Sequence, residues 1–351
     1  MKKLRRNIDK FGAFDLFSNL AAEHGFKLDD ADSQQDFIEK VRNTFECSKN
    51  NKIIIYGKRI EALFAYVVGA LGEAALLKQE DEGSLYYIGE DIIVPDYRII
   101  LKDSSQYLVE VKNHHSENIY DEFVVKKDYY QKLRKYSDLC NVDLKFGIYF
   151  SVPNKWALIS IDAFNERDDS YTIDFASSIA KSEMALIGDR TIGTRPDLEL
   201  QLLTNSNEAN EIDKDGKAVF TTREINIYSA GHKISDSLEK EIAFYLIQFG
   251  DWEEKQAEAI IERGKLLGMR FIFAPHIETE DNFSLIGTLS TMISNMFKQH
   301  TVVDGKVIAV DSHLDPERFK VFIPTHYKGK ELPLWRFTIQ PNHDFEGLTK
   351  Q

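Results

Sequence analysis

Two cysteines, Cys47 and Cys140, are all that the 351 residues contain. So few exclude a disulfide-framed fold and any metal site built on Cys clusters, and both read as reduced thiols of a cytoplasmic protein. Long apolar runs are missing as well. No stretch of roughly 18 or more apolar residues occurs, so no membrane span is expected. The basic start carries Lys2, Lys3, Arg5 and Arg6. No apolar stretch of signal-peptide length follows it, so it does not read as a secretory signal. An excess of positive charge is also lacking. Lys and Arg total 44 against 57 Asp and Glu, a formal net charge of -13, which counts against a general nucleic-acid coat protein. A local basic cleft remains compatible with that balance. Glycine-rich phosphate loops, HExxH and GxSxG are absent, as are internal repeats.

What is present is globular material, with 43% hydrophobic and 29% charged residues. The length exceeds one average domain. Gly188, Gly193 and Pro196, among alternating charges, suggest a boundary, giving an expected division into residues 1–190 and 191–351. Phe11 to Asn50 has a helical period, and Gly57 precedes a second helix expected from Arg59 to Lys78, carrying Glu61 and Glu73. Strands are expected at 85–88, 92–94, 97–101 and 106–112, with a turn at Lys102 to Ser105. Asp121 to Leu139 reads as a helix with Lys126, Lys127, Lys132, Arg134 and Lys135 on a basic face, either solvated or a track for phosphates. Strands at 145–152 and 156–161 and a helix over 170–184 complete the first part. Beyond it, strands are expected at 198–203 and 219–228, helices at 238–249, 253–267 and 283–297, and a hairpin at Asp304-Gly305.

The chemistry concentrates in Val94-Pro95-Asp96 and Leu108-Val109-Glu110-Val111-Lys112. Phosphodiester cleavage needs carboxylates for hard cations, an activated water and positive charge at the phosphorane. If the two strands fold about 102–105, paired positions sum to about 207. Asp96 and Glu110 sum to 206, so they lie nearly opposite. With a period of two, Glu110 and Lys112 share a wet face while Val109 and Val111 point to the core. Other polar groups are weaker candidates. His114 and His115 are neighbours that point oppositely on an extended chain. Asp213-Lys214-Asp215-Gly216 lacks the spacing and final Glu of a calcium loop. Arg190, Arg195, Arg223, His232 and Lys233 are polar loop residues, and Leu332, Leu334, Trp335 and Phe337 read as core.

Pro95-Asp96 with Glu110-Val111-Lys112 resembles the PD-(D/E)xK motif of the restriction-endonuclease-like nucleases. The resemblance extends to Gly57-Lys58-Arg59-Ile60-Glu61 at a helix start and to Tyr130-Gln131-Lys132-Leu133 on a basic helix before an apolar strand. It covers roughly residues 57–152. It implies an α/β fold, a mixed sheet flanked by helices, to which the C-terminal part adds an α+β accessory domain for target selection or oligomerisation. It implies Mg²⁺, with Mn²⁺ able to substitute, held by Asp96, Glu110, the Val111 carbonyl and Glu61. Lys112 would orient water and stabilise charge, and Gln131 would join the site. The expected activity is DNA hydrolysis leaving 5′-phosphate and 3′-hydroxyl ends, in defence against foreign DNA, by a homodimer. A catalytically silent binding protein on the same fold, or an RNA-directed nuclease, are the competing readings.

Overall fold

The computed structural model describes residues 1–3, 12–81, 85–89, 91–277, 282–320, 323–324 and 326–347. Arg5, Arg6, Phe11 and most of the polar turn expected at 80–84 lie outside the described residues.

Two helices, α1 (Gly12–His24) and α2 (Ala31–Lys49), form the helical start. The third, α3 (Lys52–Leu71), is the central helix of the first core. Asn51 caps it by accepting from the Ile53 and Ile54 N–H groups. Ile60, Leu63, Phe64, Val67 and Val68 then recur at helical spacing and are all buried. Gly72, at φ 90°, closes the helix in the left-handed conformation. The helix is therefore seven residues shorter at its end than expected.

A five-stranded sheet lies against α3. Its strands are β1 (Ala74–Gln79), β2 (Tyr97–Leu101) and β3 (Gln106–His114). After β4 (Phe123–Lys126) and α4 (Lys127–Cys140) come β5 (Asp143–Phe150) and β6 (Lys155–Ser160). The order is β1-β2-β3-β5-β6, with β3 and β5 parallel and the other pairs antiparallel. The β3–β5 crossover runs through β4 and α4, so one sheet face meets α3 and the other meets α4. Gly147 on β5 permits this packing, since a Cβ there would stand 3.0 Å from a ring carbon of Phe64. Short strands β7 (Asn165–Glu166) and β8 (Ser170–Ile173) join β4 in a small sheet, and α5 (Phe175–Ala180) follows.

The remaining chain is dominated by antiparallel strands. They are β9 (Thr191–Thr194), β10 (Leu198–Leu203), β11 (Asn210–Glu211), β12 (Glu224–Ser229) and β13 (His232–Lys233). Helix α6 (Ser237–Phe249) precedes the long hairpin β14 (Glu253–Glu262) and β15 (Lys265–Ala274). Then come β16 (Ser284–Thr288), α7 (Leu289–Thr301), the hairpin β17 (Val302–Val303) and β18 (Lys306–Val307), and β19 (Leu334–Phe337). Helix α7 serves both halves. Its Ile293 and Phe297 pack in the α3 core, while Met292 packs with α6 and β10.

The fold class is mixed α/β as expected, but several elements differ. Residues 253–267 are a β-hairpin, not a helix, because Arg263-Gly264, both at positive φ, supply a two-residue turn. Residues 283–297 begin as β16 and become helical only after the Thr288 cap, whose side chain accepts from the Thr291 N–H. Residues 170–184 hold β8, with α5 beginning after Asp174 as cap. Residues 85–88 and 92–94 form no strand. The outer partner of β2 is instead β1, whose residues sequence periodicity assigns to the preceding helix. The strand expected from 219 begins at Glu224.

Candidate active site

The turn at 102–105 sets the register of β2 on β3. Tyr97 pairs with Val109 and Arg98 with Leu108, so paired positions sum to 206 and not 207. Continued one residue, that register sets Asp96 directly across from Glu110. Asp96 sits on the bend that enters β2, after the buried Pro95. Its Oδ2 accepts from the Val111 N–H at 2.7 Å. In a strand, a residue's N–H and C=O face the same neighbour. The Val111 carbonyl therefore faces the edge that Asp96 occupies.

Tyr97 ties α3 to this edge by donating from its hydroxyl to the Glu61 carbonyl at 3.1 Å. The Glu80 N–H donates to the Asp96 carbonyl at 2.9 Å, which extends the β1–β2 pairing and brings Asp81 alongside. As a result the carboxylates of Glu61, Asp81 and Asp96 offer oxygens all within 4.8 Å of one another. Glu61 and Asp96 were expected here. Asp81 was not, because its position follows from β1. The Lys58 ammonium stands at this cluster, 2.6 Å from Glu61 and 3.7 Å from Asp81. Burial would pull its pKa down, but Glu61, Asp81 and Asp96 outweigh that and raise it.

Glu110 and Lys112 do share a face, but it is not wet. Glu110 is only 3% exposed, because α4 lies over that face. Lys112 Nζ donates to Glu110, and the Tyr129 hydroxyl donates to the same carboxylate oxygen. Lys112 Nζ also lies 3.0 Å from the Tyr129 oxygen and 5.0 Å from the centre of its ring. Burial would lower the Lys112 pKa, yet Glu110 and Tyr129 hold it above the ordinary lysine value. Burial and then the Glu110 charge push the Tyr129 hydroxyl to about 12. Asp96 is raised to about 7, first by burial and then by the Glu110 charge, against the opposing Val111 N–H bond.

Other expected residues lie apart. Gln131 is exposed on α4, and Tyr129, two residues earlier, is the α4 side chain that reaches Glu110. Glu73 follows the end of α3 instead of riding on it. It lies beside Lys102, at the far end of the helix from Glu61. On the basic stretch, Lys127 pairs with Glu166, Lys132 with Asp128 and Arg134 with Asp138, so much of its charge is locally compensated, and Lys126 is exposed at the end of β4. His114 packs edge-on against Phe123 and Phe150, while the His115 ring shares a hydrogen bond with Ser151. Arg190 donates to the carbonyls of Ala185 and Asp189.

No protein-family model matches the chain, and no curated protein matches it. Among solved structures, the chain is similar to Archaeoglobus fulgidus Hjc, a Holliday junction resolvase from an archaeal hyperthermophile. The likeness has 10% identity and a TM-score of 0.26, and it covers 33% of this chain and 90% of that one. A TM-score this low carries no functional weight. No helix among the described residues is long and apolar enough to cross a membrane.

Proposed function

We propose that the protein is a metal-dependent phosphodiesterase that hydrolyses DNA. The observation that carries this reading is the convergence of the Glu61, Asp81 and Asp96 carboxylates beside the Glu110–Lys112 pair. The donor set fits Mg²⁺ or Mn²⁺, hard cations that prefer oxygen ligands. Burial, and then the Glu110 charge, leave Asp96 with a pKa of about 7, a cost that a bound cation would relieve. Asp96 and Glu61 would hold the ion, with Asp81, Glu110 and the Val111 carbonyl completing its surroundings. When bound, the ion would supply an acidified water and charge neutralisation at the phosphate. Lys112 would orient that water and meet the developing negative charge. Tyr129 would aim Lys112 through the hydrogen bond already described. The C-terminal sheets would select the target or carry assembly.

The test is incubation of the full chain with supercoiled and linear DNA in Mg²⁺, Mn²⁺ or EDTA. Cleavage should require the metal. Asp96→Ala and Lys112→Ala should each lower the rate on the order of 100-fold or more, the cost of losing a ligand or a transition-state charge partner. Cleavage that persists in EDTA, or a folded variant with wild-type rate, would sink the assignment. Parallel incubation with RNA separates the two substrate classes.

A further inference from the structure

A cavity of about 350 Å³ opens at the seam between the two halves of the chain. It lies apart from the acidic cluster. Strands β3 and β5 stand between β2, which Asp96 precedes, and β6, which helps to line the cavity. Its walls are mostly apolar. Trp156, Phe175 and Met184 come from the first half, and Leu285 and Ile339 from the second. The Trp156 indole N–H is already engaged with Ser294 Oγ at 3.1 Å, so this residue offers the cavity a ring and no donor. The volume is at the small end of ligand pockets. It has room for one ring system with one polar group, and too little for a nucleic-acid strand.

The charges that line this cavity do not cancel. Lys155 Nζ and Asp251 Oδ2 form an ion pair at 2.8 Å. The Asp189 carboxylate is surrounded by donors: the Arg190 N–H at 2.9 Å, the Ser290 N–H at 3.0 Å and the Ser290 hydroxyl at 2.5 Å. Burial pushes the Asp189 pKa up in spite of them, which weakens it as a counter-charge. Arg190 is left over. Its guanidinium donates to carbonyls, those of Ala185 at 3.1 Å and Asp189 at 2.6 Å. Arg336 pairs with Ile192 across β19 and β9. Arg190, two residues before Ile192, therefore lies on the same face at the diagonal position, about 7 Å away. Arg336 likewise donates to carbonyls, those of Ile323 and Pro324. Burial and then Arg190 hold Arg336 below the ordinary arginine value. Among the described residues neither guanidinium has a carboxylate partner, so two like charges stand together where an anion would be welcome.

We propose that this cavity is a ligand site for a small planar organic anion, a ring system bearing one phosphate or carboxylate. The ring would lie against Trp156, Phe175 and Met184. The anionic group would meet the Arg190 guanidinium, whose planar fork suits both phosphate and carboxylate. A nucleoside monophosphate and an aromatic carboxylate share that chemistry. Both halves of the chain line the cavity, so a bound ligand would tie them together and stabilise the whole.

The full chain is titrated by calorimetry and by thermal melting with AMP, indole-3-acetate, adenosine, inorganic phosphate and octanoate, each up to about 5 mM. EDTA is present throughout, so that no phosphate is held through a metal at the acidic cluster. AMP or indole-3-acetate should bind and raise Tm, and the tighter of the two names the source of the ligand. Adenosine lacks the anion and phosphate lacks the ring, so each should bind at least about tenfold more weakly than AMP. Arg190→Gln should weaken binding about 10- to 100-fold, the range for losing a charge-assisted hydrogen bond. Ile339→Trp, at a position 53% exposed, should keep its circular dichroism and obstruct the cavity from its rim. The proposal would be overturned by failure of both planar anions to bind, or by adenosine or phosphate binding as tightly as they do. Octanoate binding more tightly than both, or undiminished binding in either folded variant, would overturn it too.

Discussion

The burial that would suit Asp96 to a metal ion costs the fold stability when its carboxylate is charged, and Asp96→Asn exposes the conflict. The carboxyl has a pKa of about 7 in the fold, against an ordinary value near 3.8. A raised acid stabilises the fold only while protonated. That contribution is complete below about pH 4 and is lost as pH rises through 7. Three units at about 1.36 kcal/mol each set a ceiling near 4 kcal/mol, so on the order of 2–4 kcal/mol is forfeited at pH 8. Asparagine has no charge to desolvate, and its amide oxygen still accepts from the Val111 N–H. Without metal at pH 8, the variant should therefore be more stable than wild type, with Tm higher by about 3–6 °C for a chain of this length. At pH 4 the two should melt together. Manganese should narrow or reverse the difference, because a ligand at 100 times its Kd adds about 2.7 kcal/mol to the wild type alone. Calorimetry at pH 4, 6 and 8, with EDTA and with Mn²⁺, measures each arm. A variant less stable than wild type at pH 8 in EDTA, or a difference that does not change with pH, would refute the reasoning.

Three further outcomes follow from the same geometry. Manganese affinity should fall about tenfold per pH unit below 7 and level off above 8, because binding displaces the Asp96 proton; titration calorimetry in buffers of different ionisation enthalpy should show that proton leaving. Lys58→Met removes the cation now beside Glu61 and Asp81, so Mn²⁺ should bind several-fold more tightly, and unchanged or weaker binding would show that Lys58 does not compete for the cluster. Glu110→Gln leaves Lys112 without its carboxylate and should cost about 1–3 kcal/mol in urea unfolding, most of which Glu110→Gln/Lys112→Met should restore if the pair is the cause.

Much of the site was legible because it depends on one hairpin. A turn of fixed length at 102–105 determines which residues of β2 and β3 face each other, and sequence distance alone brought Asp96 to Glu110. The one-position difference in register came from the turn's own geometry, with Ser104 at φ 72°. Asp81 was hidden because β1 has no alternation to announce it. Ala74–Gln79 contains Ala, Leu, Lys and Gln, all good helix formers, and only Gly72 marks the break. Tyr129 was hidden for a different reason. An aromatic residue near a helix start reads as core, and its link to Glu110 depends on how α4 crosses the sheet. The hairpin at 253–274 was misread since Glu, Lys, Gln and Ala dominate β14, a largely exposed strand whose partner supplies the β character. Charged residues on such an edge also discourage pairing with other chains.

Helix α7 has a consequence for how this chain can be taken apart. Ile293 and Phe297 are almost wholly buried against α3, Ser294 accepts from the Trp156 indole at 3.1 Å, and Asn295 accepts from Asn154 at 2.7 Å. The adjacent Met292 is sealed into the other core. A cut near 197 would leave the five-stranded sheet without the helix that closes it. The sheet is thus not a cassette that recombination could lift out and graft elsewhere, and the two halves should melt in one calorimetric transition.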